Sequence, residues 1–382
     1  MRVLMLTCHP GIRGPFPKIL PLLASALRAE GCHVVEEPWG RHRDDESFLQ
    51  KITGRLGDLV RVWRRARREP FDMLVIHTTT EWRNYSRDLP ALWLLRRRIP
   101  KAVVQFHGST PELVHGPGHA GFKWATRQLL QRADGVIVLS SEEKRAWQKI
   151  HPLGRWFIGR NPFAAAQPED IAPAIPWKLP ENVPVVLYVG RLIVEKGIFD
   201  LLEAAVLLKE RTPFHLLMIG SGPAQNDLEV KIRELELNDY VTVAGQLDDA
   251  RTLRRAYRTA DLFVLPSWSE GMPTVLLEAM DAGLPIVTTR IRGAVDHFEE
   301  NVHARMVSPR EPQSLAGALE ELLASPELRA RMGESNRRKI QEFAPEVVAP
   351  EYLAMLREAG GSGTRSCLPT SRVAEPDLAS RP

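Results

Sequence analysis

Ten short apolar runs recur along the chain, separated by stretches of helical period. The first five are VLMLT (3–7), HVVEE (33–37), MLVIH (73–77), AVVQFHG (102–108) and GVIVLS (135–140). After a gap come VVLYVG (185–190), HLLMIG (215–220), VTVAG (241–245), LFVLP (262–266) and PIVTT (285–289). Strands that are apolar nearly throughout are buried on both faces, and helices between them make the crossovers of a parallel sheet. The rhythm runs twice, which predicts an α/β fold of two doubly wound parallel-sheet domains. The break falls in NPFAAAQPEDIAPAIPWKLPENVP (161–184), where proline and alanine leave no period. The expected units are a domain at 1–165, a linker at 166–183, a second domain at 184–345, a helix at 346–360 and a disordered tail at 361–382. A length of 382 residues at 44% hydrophobic content is enough for two cores.

Charge is unevenly placed. Residues 1–175 hold 27 Lys and Arg against 17 Asp and Glu, whereas the remainder holds 24 against 30. Two basic runs, RVWRRARRE (61–69) and LWLLRRRIPK (92–101), interleave arginine with tryptophan and leucine. They read either as solvated helix faces or as a patch for an anionic surface such as lipid head groups. No DNA- or RNA-binding motif accompanies them, so nucleic acid is not an expected partner. No apolar run approaches a membrane span, and MRVLMLTCHPG alternates like a strand rather than a signal peptide, so a cytoplasmic protein is expected. Cys8, Cys32 and Cys367 form no zinc or disulfide spacing. No Asp-x-Asp occurs and no His/Cys/Asp group has ligand spacing along the chain, so no metal or other cofactor is expected.

In open α/β sheets ligands bind outside the carboxyl ends of the strands, so the polar residues there are the ones to weigh. VVLYVG is followed by Arg191 and then by Lys196-Gly197, two cations that either hold phosphates or are plain surface charges. Gly220-Ser221-Gly222 is bare enough to admit a ring or a phosphate, or to be an ordinary turn. SEGMPTVLLEAMDAGLPIV (269–287) is the most informative stretch. Thr274 reads as an N-cap, Gly283 and Pro285 stop the helix, and Glu278 falls in its first turn. Carboxylates beside a helix start repel phosphate but accept hydroxyls, which suits Glu270 and Glu278 to a sugar. In the first half, AVVQFHGST puts His107 at a strand end, where a functional or a structural histidine can sit.

The run S-E-G-x-P-x-V-x-L-E-A-M-x-x-G-x-P-I-V resembles the signature of retaining glycosyltransferases of family 4. So do G-R-L-x(3)-K-G, G-S-G-P and ADLFVLPS, which occur in that family's order, and the resemblance extends to about residue 358. It implies the GT-B architecture of two facing Rossmann-like domains, the first for the acceptor and the second for the donor. It also implies a nucleotide-diphospho-sugar donor (UDP- or GDP-sugar) and an acceptor that is a saccharide or lipid-linked, in surface polysaccharide or lipopolysaccharide synthesis. It further implies possible contact with the inner membrane face. On this resemblance Arg191 and Lys196 take the donor diphosphate, and Glu278 takes the ribose. Glu270, with backbone at Gly271, Met272 and Thr274, takes the transferred sugar and its phosphate, and Gly222 belongs to the donor loops. His107 stands beside the sugar, so that His107 and Glu270 are the catalytic candidates. Gly14 matches a glycine over the donor phosphates, although this chain separates Gly11 from Gly14 and adds Pro15 and Pro17. A 2-epimerase of the same architecture, or a non-catalytic sugar-nucleotide-binding protein, are the competing readings. A nicotinamide dehydrogenase is weaker, since no G-x-G-x-x-G follows the first strand.

Overall fold

A computed structural model describes residues 1–361 apart from 10, 13, 44 and 110–119, so the expected tail beyond 361 lies outside the described residues. The first sheet comprises β1 (Arg2–Thr7), β2 (His33–Pro38), β3 (Met73–Thr78), β4 (Lys101–Phe106), β5 (Gly135–Val138) and β6 (Trp156–Ile158). The second comprises β7 (Val185–Val189), β8 (His215–Ile219), β9 (Val241–Gly245), β10 (Leu262–Leu265), β11 (Ile286–Thr289) and β12 (Ala304–Val307). Every pairing within both is parallel. The α/β class and the pair of doubly wound sheets are as the sequence pattern implied.

Two strands escaped that pattern. β6 has only three residues, and β12 carries Arg305 in mid-strand, so neither shows a continuous apolar run.

The orders are β2-β1-β3-β4-β5-β6 and β12-β11-β10-β7-β8-β9. Each reverses direction once, beside β1 and β3 in the first sheet and beside β7 and β10 in the second. At such a point adjacent crossovers go to opposite faces, so the strand ends part and leave a crevice. The loops after β1 and β3 in the first sheet, and after β7 and β10 in the second, therefore border these crevices.

The chain returns to its first sheet at the end. Helix Pro345–Gly360 buries Ala349, Tyr352, Leu353 and Leu356 in one cluster with Val3, Met5, Val103 and Ile137. Tyr352 donates to Gln105 Oε1 on β4 at 2.8 Å, within that buried layer. The outgoing and returning segments lie side by side: Phe163 N donates to Phe343 O at 2.8 Å, and Arg160 pairs with Glu351. Both crossings of the cleft are thus tied together.

Candidate active site

Loops from both sheets meet around the turn that precedes helix Thr274–Ala282. The N-cap of this helix is Pro273, with extended backbone, and no side chain caps it. Thr274 is therefore its first helical residue and not the cap, because the fixed φ of Pro273 already sets the entry geometry. Glu278 is the fifth residue and sits in the second turn, one turn later than the sequence pattern suggested. Gly283, at φ +72°, ends the helix in the left-handed conformation that glycine tolerates.

Glu278 is held from two sides. Tyr257 donates its hydroxyl to Oε2 at 3.0 Å, and Lys18 reaches Oε1 at 3.0 Å from the opposite domain. Lys18 belongs to helix Phe16–Ala29, whose N-cap is Pro15 and whose second residue is Pro17. Burial and the neighbouring Glu278 carboxylate push the Tyr257 hydroxyl well above its usual range, so it remains a donor. Lys18, Phe163, Arg254, Tyr257, Thr274 and Glu278 line one cavity between the two halves.

Glu270 is bound by Lys196 Nζ, which makes the two cleft residues a single ion pair. Lys196 closes a short 3-10 turn after β7, and Gly197 follows at φ +68°. Arg191 is exposed at the end of β7, and its carbonyl accepts from Tyr188 Oη at 2.9 Å. Gly222 is packed on the loop after β7, where any Cβ would overlap Leu192 O. Its lack of a side chain first serves to stack these two loops.

Across the cleft, β4 ends at Phe106, and His107 N donates to Thr78 O at 2.9 Å. Gly108 comes against Gly271: a Cβ on Gly271 would stand 3.0 Å from Gly108 Cα. This contact brings His107 beside the Glu270 turn. Met272 is buried under that turn. The His107 Nε2 lies 2.9 Å from His77 Nδ1, and the Phe16 ring stands nearly perpendicular to the His107 ring, at 79°. Burial lowers the imidazole pKa of His107 to about 3, with Asn161 pulling the other way. His77 is lowered well below its usual value by burial and by His107. Both rings are neutral at pH 7, so one of them donates and the other accepts.

Gly14 adopts φ +132°, and space is open where its Cβ would be. Backbone there can approach a ligand closely.

Several participants have no signal in the sequence. Lys18 and Tyr257 touch Glu278 only because two distant helices converge on it. Gly293 N donates to Gly271 O at 2.8 Å and fastens the Glu270 turn, and Arg292 donates to Ser109 O in the first domain at 2.7 Å. Asp296, in the same short helix, accepts from the Ser141 hydroxyl at 2.6 Å. The segment RGAVDHF therefore supports the site and joins the halves, a role that the sequence reading left out.

Residues 2–151 match the model of a glycosyl transferase 4-like domain, and residues 174–339 that of glycosyl transferases group 1. The chain is 32% identical over 223 residues to alpha-D-kanosaminyltransferase of Streptomyces kanamyceticus, covering 56% of this chain and 57% of that one. It is 30% identical over 178 residues to the lipopolysaccharide core biosynthesis glycosyltransferase LpsE of Rhizobium meliloti, covering 46% and 51%. It thus spans about half the length of these curated relatives. Among solved structures, sucrose-phosphate synthase from Thermosynechococcus elongatus superposes with a TM-score of 0.72 at 22% identity, covering 95% of this chain and 100% of that one. Anabaena HepE in complex with UDP-glucose gives 0.70 at 18%, covering 94% and 100%. These two share the fold. With its two halves matched in order by the two family models, the chain belongs to the glycosyl transferases of group 1, built on the GT-B fold.

Proposed function

We propose that the protein is a retaining glycosyltransferase. It would move a sugar from a nucleotide-diphospho-sugar, with UDP or GDP as nucleotide, to a hydroxyl of a saccharide or glycolipid acceptor. Surface polysaccharide or lipopolysaccharide synthesis is the pathway class, and the cytoplasm is the compartment. One observation carries this reading. The Lys196–Glu270 pair and Glu278 stand on either side of one uncapped helix start, faced across the cleft by His107, Gly108 and Lys18.

On this reading Arg191 and Lys196 neutralise the diphosphate, aided by the N–H groups at the start of helix Thr274–Ala282. These groups make a metal unnecessary for transfer. Glu278 receives the ribose hydroxyls once Lys18 releases it, and Tyr257 holds the carboxylate in place meanwhile. Glu270, with backbone from Gly271 to Thr274, receives the transferred sugar. The acceptor oxygen bonds to the anomeric carbon on the face from which the phosphate departs. The acceptor proton goes to the leaving phosphate oxygen, so no protein base is needed. A neutral His107 acts as a dipole beside the sugar, not as an acid. HepE has been crystallised with UDP-glucose, which supports a UDP-sugar as the first donor to test.

Calorimetric titration with UDP-, GDP- and ADP-sugars would identify the donor. Lys196→Ala and Glu278→Ala should each abolish transfer with the fold intact, and normal turnover by either purified variant would sink the assignment. Incubating the donor alone and finding its 2-epimer would favour the epimerase reading instead.

A further inference from the structure

A second polar cluster lies in the first domain, on residues to which the transfer reaction assigns nothing. His9 follows β1, His42 follows β2, and Asp58 is in helix Phe48–Arg68. Asp58 is fully buried, while the side chains of His9 and His42 keep 15% and 37% of their surface exposed. His9 Nε2, His42 Nε2 and Asp58 Oδ2 all lie within 4.8 Å of one another, each nitrogen being 3.1 Å from the oxygen.

Three features mark this as more than a hydrogen-bonded knot. First, Oδ2 also accepts from Gly40 N at 3.1 Å, so three nitrogens crowd an oxygen that has two lone pairs. Second, Arg61 sits on the other oxygen, Oδ1, at 2.8 Å and anchors the carboxylate with Oδ2 turned to the imidazoles. Third, the His42 ring lies over Gly54, where a Cβ would stand 3.2 Å from Nε2. A glycine inside a helix costs about 0.5–1 kcal/mol relative to alanine, and here it makes room for the ring.

The geometry points to a divalent transition-metal site of the zinc class, ligated by His9, His42 and Asp58. Two imidazoles and one carboxylate are borderline ligands of the kind zinc takes. Metal–ligand bonds of about 2.0–2.2 Å in a tetrahedron put neighbouring ligand atoms roughly 3.3 Å apart, close to the 3.1 Å found here. A cation there also resolves the crowding at Oδ2, since the two imidazole nitrogens then face the metal and only Gly40 donates. The ion clamps the loop after β1 to the loop after β2 and to the helix. None of its three ligands is among the groups assigned to the diphosphate in the proposed transfer reaction.

The metal-stripped full chain, titrated with Co2+, should bind one ion with the visible absorption of a low-coordinate nitrogen and oxygen site, and Zn2+ should displace it. His9→Gln and His42→Gln keep an amide that can donate to Asp58, and each should weaken binding at least about tenfold. His33→Gln, on the same domain but outside the cluster, should not. Zn2+ should raise the thermal midpoint of the parent chain and leave that of the His9→Gln/His42→Gln double variant unmoved. Failure of the parent chain to saturate with either ion, or undiminished binding by a folded double variant, overturns the proposal.

Discussion

His107 and His77 share one hydrogen bond in a buried setting, and their protonation has a measurable consequence. The unfolded chain takes up a proton on His107 below pH 6.5, whereas the folded chain does so only near pH 3. Stability contributed by the neutral ring is therefore complete above pH 6.5 and is lost as pH falls toward 3. The slope is at most about 1.4 kcal/mol per pH unit for one histidine, and His77 adds to it in the same direction. The thermal midpoint should drop between pH 7 and pH 5, and less steeply in His107→Gln. Identical slopes in the two proteins would show that folding does not lower the His107 pKa. The same low pKa predicts that turnover shows no titration of His107 between pH 5 and 8. Glu270 and Glu278 were legible in the sequence because their spacing fits one turn and one helix. Their partners were not, since Lys18 is 260 positions from Glu278.

The short helix Arg292–His297 decides the position of the Glu270 turn. Gly293 donates to Gly271 O, and a Cβ at Gly293 would overlap that same carbonyl. Backbone cannot yield as a flexible side chain does, so Gly293→Ala must displace the turn. The expected cost is about 1–3 kcal/mol of stability, typical of overpacking. Transfer should fall at least tenfold, because a shift on the order of 1 Å in a positioning element is enough. Unchanged turnover with unchanged thermal stability would show that the turn is not fastened there. Ser314→Ala, at an exposed position of helix Pro312–Ala324, serves as the control. Helix Thr274–Ala282 teaches a related lesson: its existence was written in the sequence, but its cap was not. Thr274 is a good cap by type, yet Pro273 precedes it and takes that position by its fixed φ.

At the scale of the molecule, no helix among the described residues is long and apolar enough to cross a membrane. Helix Phe48–Arg68 instead carries an exposed apolar stripe of Phe48, Leu49, Ile52, Leu56 and Val60. Phe48 is 76% exposed, Leu49 72% and Leu56 58%, values rare for such side chains unless something covers them. Positions four apart share a helix face, and Arg64 and Arg68 continue the same line. The basic run RVWRRARRE is thus split: Arg61 and Arg65 pair with the buried Glu37, while the exposed Arg64 and Arg68 continue the stripe. An exposed apolar stripe continued by arginine has the make-up of a face that would rest on anionic lipid, and vesicle binding tests it. Co-sedimentation with phosphatidylglycerol vesicles should fall on the order of tenfold in Leu49→Glu/Leu56→Glu, and should weaken with salt. Equal binding to neutral vesicles, or no loss in that variant, would refute it.

The sequence by itself determined the class of fold, the two sheets and the strand ends where a site can lie. These follow from local periodicity, because burial on both faces imposes an apolar run whatever the strand's neighbours are. It also carried the Glu270–Glu278 pair, since one turn and one helix hold both. Only the tertiary structure decided which loops face one another. Gly108 meets Gly271, Lys18 meets Glu278, and His9 meets His42 and Asp58, each pair far apart in the chain. It likewise returned helix Pro345–Gly360 to the first sheet, where Tyr352 finds Gln105. Such contacts leave no period to read, because they depend on strand order and on the path of the crossovers rather than on any residue's near neighbours.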